Sequence, residues 1–415
     1  MQMLIKNIAC LVNVREENSL LRGKDLSILP CIKNAYLIVE EGKIKGYGEM
    51  EHLLPSLTIH NSQLTTIDAR GAYILPCWCD SHTHLVFAAS REEEFIDKIK
   101  GLSYADIAAK GGGILNSANK LSSMSEDALF DAALQRLHEV IALGTGAIEI
   151  KSGYGLSVEA ELKMLRVIQR LKALDLIPVK ASFLGAHAYP LEYKNNHEGY
   201  IKLIIDEMLP NIAKENLADF IDVFCEQGFF SAEETKRICE AGMKYGLRPK
   251  LHVNQLSSIG GIETAIEVNA VSADHLETMH EEDITRLSKS ATIGTMLPTA
   301  AYFLRMPFPP ARKLIESGAA VALASDYNPG SSPSGNMNMV VSMACIQMRM
   351  LPEETVNAAT INGAHAMQLQ HETGSITIGK NANLIFTKTI PSLAYLMYSF
   401  GNNLIDKVMI NGRFI

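Results

Sequence analysis

Histidines and an aspartate at the ends of short apolar runs are the residues of this sequence best suited to chemistry. These six side chains are His82, His84, His187, His252, His275 and Asp326. His82 and His84 are two residues apart, a spacing that places both imidazoles on the same side of an extended strand. Three neutral imidazoles and one carboxylate around a divalent ion leave room for water, whose pKa such an ion lowers from ~15.7 towards ~7. The pattern therefore predicts a catalytic metal site that supplies hydroxide at neutral pH.

The elements that must position these side chains are eight strand-like runs separated by helix-like segments. The runs are YILPCWCDSHTHL, GAIEIKS, LIPVKASFLGA, FIDVFCE, RPKLHVNQ, AVSADHL, ATIGTML and AAVALASDYNP. Most are continuously apolar, which is typical of parallel strands buried on both faces. Eight strand–helix units over roughly 300 residues indicate a (β/α)8 barrel, whose catalytic residues lie at the carboxyl ends of the strands. A single histidine there could be structural, but five of the 12 histidines and Asp326 fall at such ends.

Two of the intervening segments carry clear helix signals. In SMSEDALFDAALQRLHEVIALG, Ser123 and Glu126 match a capping box, and Gly144 is placed to end the helix. Ser157 is placed to cap a second helix with the sequence VEAELKMLRVIQRLKAL. Both helices are predicted to pack on the outside of the barrel.

Both ends of the chain consist of β-type runs instead. Residues 1–70 contain MLIKNIACLVNV, AYLIVEEGKIKGYG and LTTIDA, and Glu41-Gly42 favours a hairpin turn. After about Thr373 the chain contains GSITIGKNANLIFTK and VMINGRFI. The simplest arrangement is a composite β-domain from residues 1–70 and 373–415 beside a barrel from residues 71–372. The alternative is that the two ends only extend the surface of the barrel.

Composition and charge exclude several classes of protein. The 415 residues include 38 Lys and Arg against 46 Asp and Glu, a net charge of −8, and this acidic balance argues against a nucleic-acid partner. No run of ~18 uncharged apolar residues predicts a membrane span, and the N-terminal segment lacks the pattern of a signal peptide. Seven scattered cysteines do not form a disulfide framework. We therefore expect a soluble cytoplasmic protein with reduced thiols and a small-molecule partner.

Several segments carry a family resemblance. PCWCDSHTHLVFA, LHV, SADH and ASDYNPG resemble the amidohydrolase superfamily, and SREEEF, YADIAAKGGGI, EIKSGYGL and KLHVNQLS resemble the imidazolonepropionases within it. The resemblance covers nearly the whole chain. It implies an α/β fold, with a (β/α)8 TIM-type barrel and a small β-sandwich domain formed by the N- and C-terminal segments. It also implies one Zn2+ or Fe3+ per chain, a homodimer, and hydrolysis of the lactam C–N bond of anionic 4-imidazolone-5-propanoate to N-formimidoyl-L-glutamate in histidine degradation.

The same resemblance implies roles for individual residues. The implied metal ligands are His82, His84, His252 and Asp326. The implied substrate contacts are Arg91, Tyr154, His187, Gln255, Asn328, Gly330 and Ser331. The guanidinium of Arg91 suits a propanoate carboxylate, although pairing with Glu92 to Glu94 is the structural alternative. The glycines from Gly111 to Gly113 could bind an anion, cover the site or only form a turn.

Proton transfer is implied at His275 and Asp326, which would take a proton from the water and return it to the leaving nitrogen. The alternative for His275 is a structural histidine packed under the metal. Gln255 occupies the position where many related deaminases carry glutamate, and an amide is neither an acid nor a base. Two-metal relatives need a modified lysine on the fourth strand, FIDVFCE, which has none, while Lys151 lies on the second. We therefore predict a single metal.

Two other functions compete with this hypothesis. A cyclic-amidine or nucleobase deaminase on the same barrel would release ammonia and would favour a carboxylate at position 255. A metal-free barrel that serves as a scaffold for other proteins predicts eroded ligands, whereas all four candidate ligands are present.

Overall fold

The strands fall into two groups, one from the two ends of the chain and one from its middle, as the sequence predicts. The computed structural model describes residues 2–53, 64–102 and 112–415, so Gly111 and most of YADIAAKGGGI lie outside the described residues. The strands are β1 (Gln2–Val12), β2 (Cys31–Glu40), β3 (Lys43–Glu49), β4 (Leu64–Asp68), β5 (Tyr73–Pro76), β6 (Trp78–Asp80), β7 (Thr145–Lys151), β8 (Val179–Ala186), β9 (Phe220–Cys225), β10 (Arg248–Val253), β11 (Ser272–His275), β12 (Ile293–Met296), β13 (Val321–Leu323), β14 (Leu384–Thr387), β15 (Ile405–Ile410) and β16 (Arg413–Phe414).

Helices follow most of the strands in the middle of the chain. They are α1 (Glu92–Ile99), α2 (Ile114–Ser123), α3 (Glu126–Ala142), α4 (Val158–Ala173), α5 (His197–Lys202), α6 (Leu209–Glu215), α7 (Ala232–Met243), α8 (Gly261–Glu267), α9 (Glu281–Ser288), α10 (Pro298–Leu304), α11 (Ala311–Glu316), α12 (Met337–Met348), α13 (Pro352–Ala359), α14 (Ile361–Ala366) and α15 (Leu393–Tyr398). A π-helical turn, Leu203–Met208, joins α5 to α6. No helix in the described part of the chain is long and apolar enough to cross a membrane.

The parallel barrel is confirmed. Strands β6 to β13 are hydrogen-bonded in chain order as one parallel sheet. A parallel bridge between Thr83 and Tyr327 brings the two ends of that sheet together. There the amide of Asp326 donates to the carbonyl of His82 at 3.0 Å, and the amide of His84 donates to the carbonyl of Tyr327 at 2.9 Å. Closure of the barrel therefore places the first and last strand ends in direct contact.

A second, mixed sheet is formed by the N- and C-terminal segments. Its order is β16-β15-β14-β5-β1-β2-β3, with β4 also paired to β1. It encloses its own apolar cluster, which includes Ile5, Leu37, Ile74, Leu384 and Met409. The predicted hairpin turn is present, because Glu41 and Gly42 have φ of 50° and 79° between β2 and β3.

One strand prediction and one capping prediction need correction. The run YILPCWCD is not one strand, since β5 belongs to the terminal sheet and β6 to the barrel, with the change of sheet at Cys77. Ser123 does not cap α3, because it is the last residue of α2; Ser125 has extended backbone angles, and its Oγ accepts a hydrogen bond from the amide of Ala128. The cap of α4 is confirmed, with Ser157 accepting from the amide of Ala160.

A buried lysine near the junction between the sheets makes stability depend on pH. Lys380 is 2% exposed, and its Nζ donates to the carbonyl of Thr373 at 2.9 Å and to Ser375 Oγ at 2.7 Å. Burial lowers its pKa from 10.5 to about 8. Between these two values the unfolded chain binds more protons than the folded chain, so this lysine makes folding more favourable as pH rises.

We therefore expect the free energy of unfolding of the wild type, minus that of Lys380→Met, to increase as pH rises from 8 to 10. Chemical denaturation of both proteins across this range measures the difference, in which the groups that the two chains share largely cancel. A difference that does not change with pH would contradict the shifted pKa.

Candidate active site

Five of the six side chains singled out in the sequence form one buried cluster at the carboxyl ends of the barrel strands. His82 and His84 follow β6, His252 lies in β10, His275 ends β11 and Asp326 follows β13. None of them is more than 2% exposed. The potential ligand atoms of His82, His84 and Asp326 lie within 4.8 Å of one another, and the same holds for those of His82, His252 and His275.

The nitrogen and oxygen atoms of the cluster point at a common centre. Asp326 Oδ1 lies 3.6 Å from His82 Nε2 and 3.5 Å from His84 Nε2. The Nε2 atoms of His84 and His252 are 3.3 Å apart. His82 Nε2 is buried and has no hydrogen-bond partner among the described residues. Lone pairs this close to one another repel unless a cation lies between them. The donor set, three imidazoles and one carboxylate, is one that binds a catalytic metal ion.

Two aspartates that the sequence analysis missed hold the imidazoles in the orientation a metal needs. Asp274 Oδ2 lies 2.7 Å from His82 Nδ1, and Asp222 Oδ2 lies 3.0 Å from His252 Nδ1. A carboxylate at Nδ1 fixes the proton there and leaves the lone pair of Nε2 free for a metal. The available sequence signal was weak: Asp274 directly precedes His275, and Asp222 is the one acid within the apolar strand β9.

Burial and neighbouring charges set the protonation states of the cluster. Burial lowers the pKa of His82, His84 and His252 well below the usual value, which keeps them in the neutral form that binds metals. Burial raises the pKa of Asp326 to about 6. For His275, burial alone would lower the pKa, but the charges of Glu277, Asp326 and Asp274 outweigh it and the pKa is raised.

The backbone at the strand ends is strained. Asn254, His275 and Asp326 have φ of 55°, 91° and 53°, in the left-handed region that favours glycine. Such conformations cost of order 1–3 kcal/mol each and persist where the surrounding structure enforces them. Here they follow or end β10, β11 and β13, so the strain turns the chain at the positions that carry the cluster.

The predicted substrate residues all line one cavity above this cluster. The cavity has a volume of about 710 Å³, and its wall includes Arg91, Tyr154, His187, Gln255, Asn328, Gly330 and Ser331 as well as His84, His252, His275 and Asp326. The remaining wall is largely apolar, with Phe95, Ile99, Phe224, Phe229, Phe303 and Met306. The structure therefore brings the predicted ligand and substrate residues into one site.

Arg91 is held by the acidic segment that follows it while still reaching the cavity. Its Nε and Nη2 donate to Glu94 Oε2 at 2.9 and 2.5 Å. Glu94 Oε1 in turn accepts a hydrogen bond from the amide of Gly113 at 2.9 Å. The guanidinium lies over Gly330, where a Cβ atom would come within 2.2 Å of Nη1. The pairing expected as a structural alternative is thus present, and it orients Arg91 in the cavity wall.

The turn from Asp326 to Ser331 is built by the side chain of Asn328. Its Oδ1 accepts hydrogen bonds from the amides of Gly330 and Ser331, both at 2.8 Å. Ser331 Oγ donates to Asp326 Oδ2 at 3.2 Å. Lys98, which the sequence analysis missed, lines the same cavity and donates from Nζ to the carbonyl of Gly330 at 3.2 Å.

His187 faces the cluster as a neutral ring. Its Nδ1 lies 3.0 Å from the carbonyl oxygen of Gly153, which fixes the proton on that nitrogen, and burial lowers its pKa to about 4. The ring stacks on that of His84, with centroids 5.3 Å apart and planes at 20°. Tyr154 is also buried, with its ring centroid 5.5 Å from that of His187.

The fold and the site together define a class of protein. Its features are a parallel barrel with histidines and an aspartate at the strand ends and a second sheet from both termini, and sequence comparison finds the same class. The model of the amidohydrolase family matches residues 73–415. The chain belongs to the amidohydrolase family, which makes it a hydrolase.

Within that family, curated relatives match over the whole chain. The imidazolonepropionase of Christiangramia forsetii is 53% identical and covers 100% of both chains. That of Flavobacterium johnsoniae is 54% identical and covers 99% of both. The predicted resemblance to the imidazolonepropionases is thereby confirmed.

Solved structures with low sequence identity share the fold. The Escherichia coli guanine deaminase superposes with a TM-score of 0.74 at 13% identity, covering 100% of this chain and 99% of that one. A guanine deaminase from C. acetobutylicum gives a TM-score of 0.71 at 16% identity, covering 100% of both chains. At these identities the likeness concerns the fold alone.

Proposed function

We propose that this chain hydrolyses the lactam C–N bond of 4-imidazolone-5-propanoate and releases N-formimidoyl-L-glutamate. The observation that carries the proposal is that the histidine–aspartate cluster and the guanidinium of Arg91 line the same cavity. A lactam ring with an anionic tail needs both features, a source of hydroxide and a cation at a fixed distance from it. The names of the full-length relatives support the same substrate.

The proposed metal ligands are His82, His84, His252 and Asp326, and the proposed ion is one Zn2+ or Fe3+. Imidazole and carboxylate ligands suit both metals. When bound, the ion supplies a water of lowered pKa and a positive charge for the developing negative charge of the reaction. The partnerless Nε2 of His82 and the Nε2 of His252 beside His84, each on a ring whose Nδ1 is held by an aspartate, support this assignment.

Asp326 and His275 carry the proton in the proposed reaction. Asp326 Oδ1 lies among the imidazoles and Oδ2 accepts a hydrogen bond from Ser331 Oγ, so the carboxylate borders both the candidate ligands and the polar wall of the cavity. A carboxylate in the cavity wall beside the imidazoles is a group that can take up and return a proton. His275, whose Nδ1 lies 3.4 Å from Glu277 Oε1, donates to the carbonyl oxygen as negative charge develops on it. Asp326 then returns the proton to the leaving nitrogen.

The other cavity residues orient the substrate. Arg91 binds the propanoate carboxylate, and the amide of Gln255 hydrogen-bonds the ring without taking part in proton transfer. Tyr154 and His187 pack beside the ring, and Ser331 with the turn at Asn328 and Gly330 closes the wall next to Asp326. Holding the ring carbonyl against the activated water removes much of the entropic cost of the reaction.

Removing the guanidinium tests the carboxylate site. Arg91→Ala is expected to raise KM by about 10- to 100-fold with a smaller change in kcat, because a charge-assisted hydrogen bond contributes about 1.5–3 kcal/mol. Steady-state kinetics on the wild type and variant measure both constants.

A second variant keeps the charge and moves it. Gly330→Ala places a Cβ atom on Nη1 of Arg91, so it should raise KM in the same direction with Arg91 intact. Unchanged KM in Arg91→Ala would remove this residue from the substrate site.

The proposal extends to the organisation of the chain. We assign the barrel to residues 71–372 and the composite β-domain to residues 1–70 and 373–415, apart from β5, which pairs in the terminal sheet. The seven cysteines are all unpaired, which suits the cytoplasm, where we place the protein. We further propose a homodimer that binds neither nucleic acid nor membranes, in keeping with the net charge of −8.

Product analysis tests the proposed function. Purified protein with freshly prepared 4-imidazolone-5-propanoate should yield N-formimidoyl-L-glutamate, identified by mass spectrometry, with no ammonia. Two results would overturn the assignment in favour of a deaminase. One is release of ammonia from this substrate, and the other is full recovery of unreacted 4-imidazolone-5-propanoate by a protein that does turn over a nucleobase.

A further inference from the structure

The interior of the barrel beneath the histidine cluster is charged. Barrel interiors are ordinarily filled by branched apolar side chains. Here the residues in that place are Glu149, Lys151, Asp222, Lys250 and Asp274, each at most 1% exposed. Buried charges are costly unless they are paired, so a group of five at this position needs a reason beyond packing.

Lys151 lies between the two aspartates that hold the candidate metal ligands. Its Nζ is 2.8 Å from Asp222 Oδ2 and 3.8 Å from Asp274 Oδ2. Asp222 contacts Nδ1 of His252, and Asp274 contacts Nδ1 of His82. One ammonium group therefore connects two imidazoles through their carboxylates.

The other lysine has a different set of partners. Lys250 contacts Glu149 Oε2 and donates to the carbonyls of Ser81 at 2.9 Å and Ala366 at 3.2 Å. Glu149 also forms an ion pair with Lys151, whose Nζ lies 2.6 Å from Glu149 Oε1. Two lysines thus face three carboxylates, and of the two only Lys151 forms ion pairs with Asp222 and Asp274.

We propose that Lys151 is a positioning residue that sets the affinity of the metal site, an inference that rests on the metal site proposed above. The ammonium keeps two like-charged aspartates close together, and each aspartate fixes the rotation of one imidazole. Without the ammonium the carboxylates repel each other, and the Nε2 atoms of His82 and His252 no longer point at the same metal position. Lys151 itself touches neither metal nor substrate.

Zinc affinity measured on matched lysine variants tests this role. Lys151→Met and Lys250→Met each remove one fully buried ammonium from the same network, but only the first unbridges the aspartates. The proteins are stripped with a chelator and titrated with Zn2+ against a chromophoric competitor, with the melting temperature of each apo form as a measure of folding. Lys151→Met should bind Zn2+ about 10- to 100-fold more weakly than the wild type, because it disturbs both aspartates and the loss of such a partner of a metal ligand usually costs that much. Lys250→Met should stay within a few-fold of the wild type.

A double variant guards against misfolding. Lys151→Met combined with Glu149→Gln removes one charge of each sign and still leaves the aspartates unbridged, so its zinc affinity should also be low. Wild-type affinity in either folded Lys151 variant would overturn the inference, as would an equal loss in Lys250→Met, which would indicate a general charge effect. Failure of the wild type itself to bind Zn2+ would instead refute the metal site on which the inference rests.

Discussion

Asp326→Asn is expected to lower kcat by about 10²- to 10⁴-fold, the range for loss of a general acid–base group. The amide keeps an oxygen near His82 and His84 but cannot take a proton, so metal should remain bound while turnover is lost. Metal content and kcat measured on the same preparation separate these effects.

The neighbouring hydroxyl provides the control for this substitution. Ser331→Ala removes the hydrogen bond to Asp326 Oδ2 and the one that Ser331 Oγ accepts from Asn328, but it leaves the carboxylate in place, so kcat should fall by less than about tenfold. Near-normal turnover in Asp326→Asn would exclude Asp326 from proton transfer and leave that step to His275.

His252→Ala is expected to lose both bound metal and activity. The residue is 2% exposed in β10, with Nδ1 held by Asp222 and Nε2 directed at the cluster, so the substitution removes an oriented lone pair from the metal site. A metal that stabilises the transition state by several kcal/mol makes the expected loss about 10³-fold or more. Elemental analysis and steady-state rates on purified variant measure both effects.

His187→Ala is the matched control, because it removes another buried imidazole that stacks on His84 but belongs to neither candidate ligand group. It should keep its metal and lose substrate binding. A His252→Ala protein with full metal content would contradict the ligand assignment.

The architecture was predictable because the barrel strands are short, apolar and followed by chemically distinctive residues. His252 and His275 are polar side chains inside apolar runs, and barrel closure necessarily gathers such strand ends. The run at Tyr73–Asp80 predicts one strand because its hydropathy is continuous across Cys77. Which sheet each half joins depends on pairing with distant strands, β14 and β7, which no local pattern records.

The supporting residues of the site were less predictable than its ligands. Asp222, Lys151 and Lys98 each look ordinary in sequence, an acid in a strand or a lysine in a charged segment. Their roles arise from proximity across strands: Lys151 and Asp222 are 71 residues apart and meet at 2.8 Å. A cap such as Ser125 was missed by two residues because two other serines precede it, and only the end of α2 decides between them.

Metal add-back to stripped protein tests the central claim most directly. Protein freed of metal by a chelator should show no turnover of 4-imidazolone-5-propanoate, and stepwise addition of Zn2+ or iron should restore activity linearly until it levels off at one equivalent per chain. Full activity in the stripped protein, or a plateau only at two equivalents, would contradict a hydrolase that works with a single metal held by His82, His84, His252 and Asp326.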